Sequence, residues 1–144
     1  MQSHFCWLIY FWILLAMPLA ASTSRIYVLN NGGTTVDVID PATNKVVQTI
    51  EGIPKPHGVI FSPDGTRAYI TSESENTIYS VDTKTGKTIR KLVLSPGSAN
   101  LPAITKDGKR LFVCINGLRD DHGNMLSDRG GAVDIVDAAS LAVC

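Results

Sequence analysis

The chain is poor in cysteine, with three in 144 residues. No Cys-x-x-Cys pair and no Cys-x-x-Cys-His occurs, which excludes a dithiol redox motif and covalent haem attachment through that motif. Charge of one sign is also missing: 13 Lys and Arg stand against 13 Asp and Glu. Nucleic-acid binding needs a basic stripe. The one basic cluster, Lys106-Asp107-Gly108-Lys109-Arg110, reads as a solvated turn and strand start. No Gly-x-Ser-x-Gly elbow and no phosphate-binding Gly-rich loop leading into a helix is present. The only adjacent carboxylates are Asp120-Asp121, whose side chains diverge in an extended loop. No helical period of useful length follows residue 22.

What is present is repetition. RIYVLN begins at residue 25, RAYITS at 67 and RLFVCI at 110, a period of 42–43 residues. VDVID at 36–40 returns as IYSVD at 78–82 and VDIVD at 133–137, and SPDG at 62–65 returns as TKDG at 105–108. A period near forty filled with short strands and turn signals is the mark of a β-propeller. The fold class is therefore all-β, a propeller of four-stranded antiparallel blades.

The middle unit shows the chemistry. An apolar strand at 57–61 runs into Ser62-Pro63-Asp64-Gly65, where Pro presets φ, Asp bonds the local backbone and Gly accepts unusual dihedrals. Strands at 67–71, 77–82 and 87–94 follow, separated by a polar loop and by Thr83-Lys84-Thr85-Gly86. Thr, Val, Ile and Tyr dominate them, as pleated half-buried surfaces favour. Asn44 and Gly86 hold equivalent turn positions that call for positive φ. The third copy has Leu141 there, which predicts a turn of different shape.

RIYVLN, VDVIDPATNKVVQTI, PHGVIFSPDG, RAYITS and TIYSVDTKTGKTI together resemble the YVTN family of β-propeller repeats. The likeness covers 25–115 and part of 132–144. The Trp-Asp and Gly-His marks of Trp-Asp-repeat propellers are absent. The resemblance implies a secreted or surface-layer protein, since many of that family are exported.

The apolar block at 5–16, followed by Pro18 and by Ala20, Ala21 and Ser22, reads as a secretory signal over residues 1–21. It is short for a bilayer span, so no stable membrane span is expected after cleavage. Residues 1–5 lack Lys and Arg, a departure from the usual basic leader start. No lipobox stands before Cys6. The expected location is the periplasm, or outside the cell or on its surface.

Three units are expected: blade 1 at 25–51, blade 2 at 57–94 and blade 3 at 100–144. Blade 1 starts at its second strand, and three blades fall short of the four to eight of known propellers. A fragment of a longer propeller is the expectation, with ring closure by oligomerisation as the alternative. Cys114 and Cys144 fall about 9–10 Å apart at the ordinary strand spacing, beyond disulfide reach. Cys114 is expected to be a small buried apolar residue.

One segment breaks the period. About a dozen extra residues lie within 116–130, NGLRDDHGNMLSDRG. Insertions in repeat proteins map to loops on one face, often the binding face. Asp120, Asp121, Asn124 and Asp128 could offer oxygens to a hard cation, although the spacing is not that of an EF-hand. A solvated loop accounts for the same residues, and no metal site is assigned. His57 opens the innermost strand of blade 2, and the blade topology places it on the same face as the insertion. The candidate ligand-binding set is thus His57, Asp120, Asp121, His122 and Asp128, with no catalytic residue and no cofactor evident.

The leading functional expectation is an exported binding or scaffold module without catalysis, with an unidentified protein or small molecule received on the loop face. Two alternatives from other classes remain: an accessory of periplasmic quinone or haem metabolism, and a lactonase-like propeller hydrolase.

Overall fold

A computed structural model describes residues 24–120, 122–126 and 130–144. The expected signal segment, Asp121 and Asp128 lie outside the described residues. Eleven strands are present and no helix among the described residues. They form three antiparallel sheets in chain order. The first holds β1 (Ile26–Asn30), β2 (Thr35–Asp40) and β3 (Lys45–Glu51). The second holds β4 (Pro56–Phe61), β5 (Arg67–Ser72), β6 (Thr77–Asp82) and β7 (Thr88–Val93). The third holds β8 (Ser98–Ile104), β9 (Arg110–Asn116), β10 (Gly131–Asp137) and β11 (Ala142–Val143). Each sheet is a meander, and the three are the blades of a β-propeller.

The core lies between blades rather than within one. Strand alternation sends Ala68, Ile70, Tyr79 and Val81 of blade 2 toward blade 1, where they pack on Val36, Val38 and Ile50. The opposite parity sends Tyr69 and Ile78 toward blade 3, onto Leu111, Val113, Ile115 and Val136. Blade 2 is covered on both faces, so β5 and β6 are buried almost throughout. Full burial of each such aliphatic side chain contributes about 1.5–3 kcal/mol. Tyr69 adds a bond across the interface, its hydroxyl donating to the Ala138 carbonyl at 3.0 Å.

The same alternation corrects the expectation for Cys114. Leu111, Val113 and Ile115 take the face toward blade 2, so Cys114 takes the other face of β9 and is exposed. Cys144 is also a free thiol.

The turns repeat in atomic detail. In 62–67, Ser62 Oγ donates to Asp64 Oδ1 at 2.6 Å and accepts the Arg67 N–H at 3.0 Å. In 105–110, Thr105 Oγ1 donates to Asp107 Oδ1 and accepts the Arg110 N–H at 3.1 Å. In the other turn family, the N–H groups of Asn44, Gly86 and Leu141 donate to the carbonyls of Asp40, Asp82 and Asp137 at 2.8–2.9 Å. Leu141 has φ 54°, the same value as Asn44, so its turn has the shared shape, contrary to expectation. What holds a leucine there is burial: its side chain is 6% exposed within the blade 2–blade 3 core.

Candidate functional site

Both complete blades carry a β-bulge at the same place on the innermost strand. Pro56 pairs with Ser72 and Val59 with Ile70, so His57 and Gly58 together face the single residue Thr71. Ala99 pairs with Ile115 and Pro102 with Val113, so Asn100 and Leu101 together face Cys114. A bulge leaves its extra residue outside the ladder and re-aims its side chain. His57 and Asn100 are register equivalents, and their side chains meet: His57 Nε2 lies 3.1 Å from Asn100 Oδ1. An amide oxygen only accepts, so Nε2 is the donor of this bond, and Nδ1 has no hydrogen-bond partner among the described residues.

Three residues hold the pair in place. Thr71, fully buried, accepts the Gly58 N–H at 3.0 Å and donates to the Asn100 carbonyl at 2.7 Å. One hydroxyl thus satisfies the bulge of blade 2 and ties it to the inner strand of blade 3. Gly58 permits the approach: a Cβ there would stand 2.7 Å from Pro102 Cδ and 3.1 Å from the Asn100 carbonyl oxygen. Pro102 fills the other side of the contact.

The described residues of the insertion at 118–120 and 122–126 form a small hairpin at the same end of the blades. The Leu126 N–H donates to the Leu118 carbonyl at 2.8 Å, Arg119 bridges to Met125, and the Arg119 N–H anchors to the Pro96 carbonyl at 3.2 Å. Asp120 organises its turn, accepting from the N–H groups of His122 and Asn124 at 2.9 and 2.8 Å and from Asn124 Nδ2 at 3.1 Å. These bonds, led by that of the Asn124 amide, hold its carboxyl below the usual carboxylate range. The Asp120 carboxylate is therefore engaged within the hairpin. His122 is exposed at the tip, and no group of three or more His, Cys, Asp or Glu assembles among the described residues.

So the structure brings His57 together with Asn100, not with Asp120. Sequence reasoning named His57 and missed Asn100, Thr71 and Gly58. The available signal was register: counting back from Ser62 and Thr105 puts His57 and Asn100 at the same position. Thr71 and Gly58 had no signal of their own, because their roles arise only where two blades meet.

No family model matches the chain. It is 29% identical over 120 residues to the seven-bladed beta-propeller protein Rv1057 of Mycobacterium tuberculosis, across 81% of this chain and 30% of that protein. Among solved structures it superposes on Kuenenia stuttgartiensis hydrazine synthase with a TM-score of 0.71 and 21% identity, covering 84% of this chain and 31% of the other. It superposes on dihydro-heme d1 dehydrogenase NirN in complex with DHE with a TM-score of 0.65 and 18% identity, covering 85% and 24%. The chain spans about a quarter to a third of the length of these proteins. With the sheet order and the inter-blade cores, these likenesses establish that the described residues fold as three consecutive blades of a β-propeller.

Proposed function

We propose that the chain is part of an exported propeller of the YVTN repeat type that works as a binding or scaffold module. Its ligand is received at the end of the blades that carries the His57–Asn100 pair and the insertion after β9. The observation that carries this reading is the repeated bulge. It aims one polar side chain from each inner strand toward the same region, and it leaves His57 Nδ1 without a hydrogen-bond partner among the described residues. Repetition of one device at one site in successive blades is how a ring-shaped protein builds a site from many similar parts. The periplasm or cell surface is the proposed location, from the leader-like composition of residues 1–21.

The test is side-chain NMR of His57 and Asn100 in the full chain, titrated with haem, a quinone, Ca²⁺ and a set of lactones. The expected result is a saturable shift of both residues with at least one of these, abolished by His57→Ala, and no turnover. Lactone hydrolysis that depends on His57 or Asp120 would overturn the non-catalytic reading. The second reading, a redox accessory, draws on the uncommitted His57 Nδ1 and on a neighbour described with bound DHE. It predicts a His57-dependent change in the visible spectrum of added haem.

A further inference from the structure

The seam between blades 1 and 2 opens into a cavity of about 650 Å³ beside Gly65 and the Thr83 turn. His57 stands near the start of β4 and Phe61 at its end, so this cavity and the His57–Asn100 pair lie at opposite ends of the blades. Small-molecule sites occupy about 300–1,000 Å³ and combine apolar walls with a few placed polar groups. Here Val38, Val47 and Phe61 form the apolar wall, and Arg25, Tyr27 and Lys84 supply the polar groups. No carboxylate lines it among the described residues.

The next seam shows why this one is open. Arg67 and Tyr69 are the register equivalents of Arg25 and Tyr27, and Ala138 and Ala139 those of Thr83 and Lys84. Between blades 2 and 3, the Tyr69 hydroxyl reaches the Ala138 carbonyl and closes the seam. Tyr27 makes no such bond to Thr83. Its ring stands edge-on to Phe61 instead, with centroids 4.7 Å apart, where blade 3 has Ile104. The space between Tyr27 and the Thr83 turn is the cavity. Its counterpart in the next seam is smaller, about 400 Å³, and is lined by Asp64 and Asp107, with Ala139 in place of Lys84.

The polar groups of the open seam suit an anion. Lys84 is exposed and forms no ion pair among the described residues. Its turn is tied to β3 by Gln48 Nε2, which donates to the Lys84 carbonyl at 3.3 Å. Arg25 lies 3.6 Å from Asp40 in a partly exposed pair, and its guanidinium keeps further donors. The Tyr27 hydroxyl faces the same space without a hydrogen-bond partner among the described residues.

We infer that the cavity between blades 1 and 2 binds a small anion with a flat apolar body, of the aromatic carboxylate class. The carboxylate meets the Lys84 ammonium and the Arg25 guanidinium, with the Tyr27 hydroxyl as a further donor. The ring enters against Phe61, Val38 and Val47. The counterpart in the next seam, with two carboxylates and no lysine, rejects the same ligand. The inference stands apart from the ligand proposed for the His57 end.

The test is calorimetric titration of the full chain with naphthoate, beside naphthalenemethanol as a neutral compound with the same ring. Saturable binding of the carboxylate is expected, about tenfold tighter than that of the alcohol, as a charge-assisted hydrogen bond implies. Salt at about 1 M should weaken the carboxylate and leave the alcohol unchanged, because it screens exposed charges. Lys84→Gln should bring the carboxylate down to the level of the alcohol, and Lys84→Arg should keep it. Lys106→Gln, in the blade 3 turn outside the cavity, should change neither. Unchanged far-ultraviolet circular dichroism is expected of all three variants, whose side chains are exposed in turns. Absence of saturable binding would overturn the inference. So would equal affinity for the two compounds, and so would carboxylate binding indifferent to Lys84.

Discussion

Leu141 shows how a single residue is set by two opposed demands. Its φ of 54° costs about 1–2 kcal/mol for a non-glycine residue. Its buried side chain returns more, since deleting a buried leucine side chain costs about 2–5 kcal/mol. Leu141→Gly removes both, and packing is the larger. The expected outcome is a net destabilisation of about 1–3 kcal/mol in urea unfolding. A variant more stable than the parent would show that backbone strain dominates. The sequence made the position visible as an exception to its turn family. It did not reveal the outcome, because the filled space belongs to the interface with blade 2. Cys114 is the reverse case: hydrophobic character suggested burial, and strand parity decided for exposure.

At the scale of the element, the inner-strand bulge depends on Thr71. Thr71→Val keeps the shape but removes the hydroxyl, leaving the Gly58 N–H without its acceptor and the Asn100 carbonyl without its donor. A buried polar group left unpaired costs about 1–3 kcal/mol. Chemical denaturation should show a loss of that size, and the His57 and Asn100 side-chain signals should shift together in NMR. A variant with unchanged stability and unchanged signals would mean that the bulge is held by the ladder alone. Strands and turns were legible in the sequence almost throughout, because period-two alternation and Asp-Gly turn chemistry are local signals. The bulges were not, since one extra residue shows only when two strands are counted against each other. The acidic insertion was legible as an insertion. Its reading as a set of cation ligands is weakened by Asp120, whose oxygens are taken up in its own turn.

For the whole molecule, pH dependence follows from where titrating groups sit relative to the inter-blade cores. Burial in the blade 1–blade 2 core, then the hydrogen bond and charge of Glu75, push the Tyr79 hydroxyl up to about 12. A group whose folded pKa is raised stabilises the fold below its unfolded value, about 10. That stability is lost as pH rises from about 10 toward 12. At the acid end, hydrogen bonds lower the carboxyls of Asp64, Asp82, Asp107 and Asp137 in the turns. Their contribution is present above the ordinary carboxylate range and lost as pH falls through the folded values. Urea midpoints should therefore hold steady near neutrality and decline at both ends. Tyr79→Phe should flatten the alkaline decline and leave the acid one; an unchanged alkaline limb would place its cause elsewhere.

The two apolar clusters lie in the seams between sheets, so each blade borrows its interior from its neighbours. The reach of a change is correspondingly short. Altering blade 3 disturbs its seam with blade 2 and leaves the seam between blades 1 and 2 in place. The additional segment between β9 and β10 illustrates this tolerance: those strands stay in continuous register from Gly131 and Asn116 to Asp137 and Arg110. Such an architecture can lengthen and diversify its loops one blade at a time without renegotiating the rest of the molecule.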